Sequence, residues 1–261
     1  MDPLDQTQTR ASHIRIDGQS FADIQAILFD KDGTLLVFEP LWLGWLERVL
    51  TLLAQQGSPL PTAETLVTLG VTPDLKHCHP TGALAIGTLN DVRALLALGL
   101  YRHHGLPWNE AIQRVYLAAE QALQTIGPEH LAPMPGLLNL LAQARTLGIP
   151  LAVVTADDTE SARAQLAQLG VDNSFAAILG HDAVARGKPF PDMALQACRE
   201  LGVEPAQTLL FGDSNGDLRM ARAAGLAGAI GLYPQGRDSS HLRDADRVIT
   251  DFTGVVVEAP T

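Results

Sequence analysis

Ala26-Ile27-Leu28-Phe29-Asp30-Lys31-Asp32-Gly33-Thr34-Leu35 is an apolar run that breaks off into two acids, a lysine and a turn. An apolar run without alternation suits a strand buried on both faces of a parallel sheet, and Asp32-Gly33 supplies turn chemistry where that strand ends. The same grammar recurs downstream. Strands are expected at 149–155, closing on Thr155, at 177–179, at 208–211, followed by Gly212-Asp213, and at 227–232. Helices are expected between them at 137–147, 158–169, 191–201 and 217–224, the first two closed by Gly148 and Gly170. Strand and helix in alternation build a Rossmann-like parallel sheet sandwiched by helices, so the fold class is α/β. Such sheets take their ligands beyond the carboxyl ends of the strands.

Between Leu35 and the loop that runs from Gly127-Pro128 to Pro133-Met134-Pro135, the period changes. Trp42, Trp45, Leu46, Val49, Leu50 and Leu53 recur at helical spacing after Pro40, and Gly57-Ser58-Pro59 stops them. A short helix is expected at 62–69 and a loop at 72–79. Thr88-Leu89-Asn90-Asp91 has capping-box form and heads a helix that should end near His104, with Gly105 as its left-handed cap. Another helix follows at 107–125. The expected organisation is a catalytic core of 24–35 and 132–261, an inserted all-α cap domain of 36–131, and a partly ordered N-terminal extension of 1–23. Within the extension, Ile14 and Ile16 alternate with polar neighbours as an edge strand would.

The chain has 261 residues, 46% of them hydrophobic, which is enough to bury a core and excludes a disordered chain or a peptide module. Its 18 basic and 29 acidic residues leave a net charge of −11, a field that repels nucleic acid and anionic membranes and favours a small-molecule partner. Residues 1–23 lack the apolar core of a secretory leader, and no apolar stretch is long enough to span a bilayer. Cys78 and Cys198 form no CxxC pair, which suits a reducing compartment, and the expected location is cytoplasmic. Lysine occurs only at 31, 76 and 188, arginine supplying every other strong cation, and two of those lysines fall inside the segments that carry the chemistry.

Asp30 with Asp32, Thr155, and Asp213 with Asp217 stand where an open parallel sheet places its site, and Lys188 precedes a helix nearby. Carboxylates gathered at adjacent strand ends repel one another unless a cation lies among them, and an all-oxygen set with water favours a hard ion such as Mg²⁺. A lysine and a threonine suit phosphate. Together these parts describe phosphoryl transfer, with one aspartate available as nucleophile and a second as acid for the leaving group.

Asp30-Lys31-Asp32-Gly33-Thr34-Leu35 resembles the first motif of the haloacid dehalogenase (HAD) superfamily. Thr155 after Leu151-Ala152-Val153-Val154 resembles the second, Gly187-Lys188-Pro189 the third, and Gly212-Asp213-Ser214-Asn215-Gly216-Asp217 the fourth. All four occur in order, and the insert between the first two is similar to the helical C1-type cap of the phosphoglycolate phosphatase-like branch. The resemblance implies that Asp30 attacks phosphorus and that Asp32 protonates the leaving alcohol and then deprotonates water. It implies that Thr155 and Lys188, with backbone at Gly33 and Ala156, hold the phosphoryl oxygens. It implies Mg²⁺ on the carboxylates of Asp30 and Asp213 and the backbone carbonyl of Asp32, with Asp217 ligating directly or through water. The implied activity is hydrolysis of a small phosphate monoester, a phosphorylated metabolite such as phosphoglycolate. Asp32 separates the chain from the dehalogenase branch, which lacks that acid. A sugar-phosphate mutase of the β-phosphoglucomutase type would use the same residues, and a non-catalytic phosphometabolite-binding protein would keep the fold.

Other residues admit plainer readings. Asp217 also suits a helix cap. His77-Cys78-His79 has soft-metal residues but no fourth ligand, and a substrate-facing loop is the better reading, with Lys76, His77, His79 and Arg93 as cap contacts. His103 and His104 suit a helix carboxyl end, Trp42 and Trp45 a core face, and Cys198 inert packing. Oligomeric state is not legible.

Overall fold

The computed structural model describes residues 12–60, 62–234 and 236–259. Contacts divide it into two units: Leu36–Ala132 with Ala164–Gly170, and the remainder on either side.

In chain order the strands are β1 (Ser12–Ile16), β2 (Gln19–Ile24), β3 (Ala26–Phe29), β4 (Leu151–Val154), β5 (Ala177–Leu179), β6 (Thr208–Gly212), β7 (Gly228–Leu232), β8 (Arg247–Ile249) and β9 (Val255–Glu258). The helices are α1 (Phe38–Gln55), α2 (Thr62–Leu69), α3 (Ala83–Ile86), α4 (Leu89–His104), α5 (Trp108–Leu123), α6 (Leu137–Thr146), α7 (Thr159–Gln168), α8 (Asp192–Leu201) and α9 (Asn215–Ala224). None is long and apolar enough to cross a membrane.

Six strands form a parallel sheet in the order β5-β4-β3-β6-β7-β8. All four residues of β3 are buried, as continuous apolar runs require when both faces are covered. One face packs Ala26, Leu28, Ala152, Val154 and Leu210 against Met193, Ala197 and Cys198 of α8 and Leu218 and Ala221 of α9. On alternate positions Phe29 and Phe211 stack at 5.4 Å, and Phe252 meets both edge-on. Cys198 is buried and unoxidised, the packing role expected of it.

The N-terminal reading needs correction. Residues 1–11 of the expected extension lie outside the described set, while 12–24 form two strands of a sheet. β1 is the middle strand of an antiparallel sheet ordered β2-β1-β9, not an edge strand. Asp17 and Gly18 turn the hairpin with φ of 44° and 86°, the positive pair that an Asp-Gly type I′ turn uses. Ile14, Ile16 and Ile24 are fully buried there, and Arg15 pairs with Glu258 at 2.7 Å. Val255 and Val257 of β9, at the far end of the chain, pair with Ile16 and Ile14 and extend the same buried face, a partner that no local pattern announces.

The helical unit has its own core. Trp42 and Trp45 lie inside it, edge to face at 5.7 Å, and the Trp45 indole N–H donates to the Ala119 carbonyl at 3.2 Å. Both belong to packing, as their spacing suggests. Thr88 and Asp91 form the capping box of α4, and Gly105 closes that helix at φ 63°. The 72–79 loop is pinned by the Thr72 N–H, which donates to the His77 carbonyl at 2.9 Å. The four-residue α3 beside it has no helical period to reveal it.

Candidate active site

β3 lies between β4 and β6, all three parallel, with Phe29 paired to Val153 on one side and Phe211 on the other. That register sets the residues that follow these strands, Asp30, Thr155 and Asp213, at one edge of the sheet. The Asp30 N–H donates to the Phe211 carbonyl at 2.8 Å and continues the ladder to the site itself.

The turn after Asp30 is closed by its own backbone, the Leu35 N–H donating to the Lys31 carbonyl at 2.8 Å. Gly33 sits in that turn at φ 78°, and a Cβ there would stand 2.0 Å from Asp213 Oδ2. Glycine is required on both counts: L side chains rarely adopt the conformation, and the space belongs to a site carboxylate.

Lys188 reaches the same place. Its Nζ donates to Asp30 Oδ1 at 2.5 Å and pairs with Asp217 Oδ1 at 2.5 Å. Oxygens of Asp30, Asp213 and Asp217 all lie within 4.8 Å of one another. Burial pushes the Asp30 carboxyl up, against the pull of Lys188, to about 7. Asp213 is raised well above the usual carboxylate range by burial and by the charges of Asp30 and Asp217. Burial favours the neutral amine of Lys188, but Asp217 and Asp30 outweigh it and its pKa is raised. One ammonium among three carboxylates leaves two negative charges when all are ionised, a deficit that a divalent cation matches, and the donors are hard oxygens. The residues present therefore fit such an ion, and Asp30, Asp213 and Asp217 are the side chains that could hold it.

Asp217 takes the capping role that its sequence position suggests, and its other oxygen pairs with Lys188. Its Oδ2 accepts from the Ser214 N–H at 3.1 Å and from the Ser214 hydroxyl at 2.6 Å, capping α9, while Oδ1 faces Lys188. Thr155 is buried, and its Oγ1 accepts the Asp157 N–H at 3.2 Å. Asp32 is drawn elsewhere. Both of its oxygens lie against Lys31 Nζ, at 2.8 and 2.7 Å, and the ammonium also pairs with Asp157 Oδ2 at 3.2 Å. Burial pulls the Lys31 pKa down, but Asp32 and Asp157 carry it above its ordinary value.

Lys31 and Asp157 went unassigned in the sequence reading. A lysine flanked by acids directly after a wholly apolar strand is the signal for the first, because such a position is buried and a buried ammonium must be paired. Nothing local marks Asp157. In the helical unit Lys76, His77 and His79 are exposed, with a His79 ring nitrogen beside the Thr81 hydroxyl at 2.9 Å. Arg93 pairs with Glu120 and lies over the Tyr116 ring at 4.9 Å.

Known proteins show the same arrangement of sequence. The chain is 29% identical over 181 residues to validoxylamine A 7′-phosphate phosphatase of Streptomyces hygroscopicus, covering 60% of this chain and 84% of the relative. It is 30% identical over 205 residues to the phosphoglycolate phosphatase of Thiobacillus denitrificans, covering 77% and 80% respectively. Among solved structures, CbbY of Rhodobacter sphaeroides in complex with xylulose-1,5-bisphosphate superposes with a TM-score of 0.58 at 27% identity, over 88% of this chain and 95% of that one. The sequence model of the haloacid dehalogenase-like hydrolases matches residues 24–225, and the chain belongs to that family.

Proposed function

We propose that the protein is a Mg²⁺-dependent phosphatase that hydrolyses a small phosphate monoester through an aspartyl-phosphate on Asp30. The carrying observation is the largely buried gathering of Asp30, Asp213, Asp217 and Lys188 at the carboxyl edge of the sheet, with Asp32 two residues beyond Asp30. Relatives that are phosphatases of phosphoglycolate and of validoxylamine A 7′-phosphate support a small organic phosphate ester as substrate.

A carboxylate oxygen of Asp30 forms a bond to phosphorus as the bond from phosphorus to the ester oxygen breaks. Asp32 passes its proton to that departing oxygen. In the second half, Asp32 takes a proton from water, the water oxygen bonds to phosphorus, and Asp30 leaves with its carboxylate restored. Lys188, the Thr155 hydroxyl and backbone N–H groups at Gly33 and Ala156 hold the phosphoryl oxygens in line. The cation, when held by Asp30, Asp213, Asp217 and the Asp32 carbonyl, supplies positive charge to phosphoryl oxygens.

The choice of ester is assigned to the helical unit, 36–131, with Lys76, His77, His79 and Arg93 as contacts. Arg93 would serve by exchanging Glu120 for a substrate anion. The deciding experiment is release of inorganic phosphate from p-nitrophenyl phosphate and from a panel of phosphorylated metabolites, with and without Mg²⁺. Undiminished release after thorough chelation overturns the metal assignment. Conversion of one sugar phosphate into its isomer without phosphate release would establish the mutase reading instead.

A further inference from the structure

Lys31 is fully buried, and it points an ammonium at the residue assigned as acid and base rather than at the phosphoryl site. An ammonium has three N–H bonds in a tetrahedral fan. Two carboxylate oxygens of Asp32, at 2.8 and 2.7 Å, and Asp157 Oδ2, at 3.2 Å, lie within its reach. Asp157 belongs to the loop that follows β4 and is itself anchored, its N–H on Thr155 Oγ1 and its carbonyl accepting the His181 N–H at 2.9 Å. The Lys31 backbone is held as well, since its carbonyl accepts from the Leu35 N–H at 2.8 Å. A rigid ammonium thus ties the Asp32 side chain to the loop that carries Thr155.

Stability alone does not account for this lysine. Removing a buried ion pair in favour of well-packed apolar side chains is often neutral or stabilising, because the pair's desolvation offsets its attraction. Leucine or methionine would fill the volume at lower cost. What an apolar residue would not do is fix the direction of the Asp32 carboxylate, whose side chain keeps 17% of its surface open while Lys31 has none. An acid that must meet a departing oxygen and then a water gains from being held to one orientation, and a displacement of about 1 Å costs on the order of 10²-fold in rate.

We propose that Lys31 is a positioning residue that, clamped by Asp157, orients the Asp32 carboxyl group, protonated before the first half-reaction, for proton transfer to the leaving group. This rests on the assignment of Asp32 as acid and base. It acts on one half of the chemistry selectively: formation of the aspartyl-phosphate from an alkyl ester needs the acid, whereas an aryl ester departs without it.

The test is rapid-quench measurement of adduct formation from an alkyl phosphate and from p-nitrophenyl phosphate, in wild type, Asp32→Asn, Lys31→Met and the double variant Lys31→Met with Asp157→Asn. In Lys31→Met the alkyl rate should fall by about 10- to 100-fold and the aryl rate by less than about 3-fold, in the same sense as Asp32→Asn but smaller. Lys31→Met leaves a buried carboxylate on Asp157, so where it fails to fold the double variant, which removes both charges, decides with the same ester dependence. If Asp32→Asn discriminates between the esters and the folded Lys31 variant loses both rates equally or neither, Lys31 is structural only and the proposal falls. If Asp32→Asn itself does not discriminate, the acid assignment falls and the positioning role with it.

Discussion

Asp30 has no apolar or amide substitute, because the proposed bond to phosphorus needs a carboxylate lone pair on the side of the turn where Lys188 and Asp213 stand. Asp30→Asn keeps the shape and removes the nucleophile, so acid quenching should trap phosphorylated protein from wild type and none from the variant. A trapped adduct that maps to another residue would overturn the mechanism. Gly33 is constrained in a different way, through its φ of 78° and the 2.0 Å that a Cβ would leave to Asp213 Oδ2. Gly33→Ala should cost more than about 1 kcal/mol of stability, the penalty for a side chain where φ is positive, and should displace Asp213. Denaturant melts and the Mg²⁺ concentration for half-maximal activity should both move. A variant that melts like wild type with unchanged metal demand would show that the turn relaxes without reaching the carboxylate.

Two capping boxes of the same design divide stability from chemistry at the scale of elements. Thr88 and Asp91 cap α4 of the helical unit, whereas Ser214 and Asp217 cap α9 at the site. Replacing either hydroxyl by Thr88→Ala or Ser214→Ala should cost about 1 kcal/mol. Only Ser214→Ala releases a carboxylate whose other oxygen faces Lys188, so only it should lower turnover of p-nitrophenyl phosphate. Equal turnover in the two variants would mean that Asp217 keeps its place without the cap. Both boxes carry the same local signal in the sequence, because in each the partners lie three residues apart. The same locality made α2 and β3 legible and let the strand ends nominate Asp30, Thr155 and Asp213. The hairpin of β1 and β2 was half legible: Ile14 and Ile16 alternate, and Asp17-Gly18 is a type I′ turn signal, but β9 is a partner only after the whole chain has folded. For Asp217 the sequence posed cap against ligand support. The structure shows one oxygen in the cap and the other on Lys188, a partner that local sequence does not announce. Lys31 shows the same limit, since its flanking acid Asp32 is local but its clamp Asp157 comes from another strand's loop.

Across the whole molecule the acid cluster links folding to pH and, on the proposed metal assignment, to a divalent cation. Asp30 has its pKa raised by burial from an ordinary 3.8 to about 7, and Asp213 is raised in the same direction. Between those limits the metal-free folded chain binds more protons than the unfolded chain. Stability therefore falls as pH rises from about 4 through about 7, because each proton lost leaves a buried charge that the unfolded state would solvate. A divalent cation reverses the balance by favouring the ionised carboxylates, and below that window it must displace protons to bind. At one hundred times its Kd a ligand of the folded state adds about 2.7 kcal/mol, which for a chain of this size is a rise in Tm of about 5–10 °C. With a fixed Mg²⁺ concentration, the rise over the chelated protein should be largest near pH 8 and small near pH 5. Asp213→Asn, which removes a ligand and a buried charge together, should make the chelated protein less sensitive to pH over the same range and abolish most of the Mg²⁺ effect. A Mg²⁺-induced rise of the same size at both pH values would show that the ion binds without displacing protons from Asp30 and Asp213, and the cluster would then not be its site.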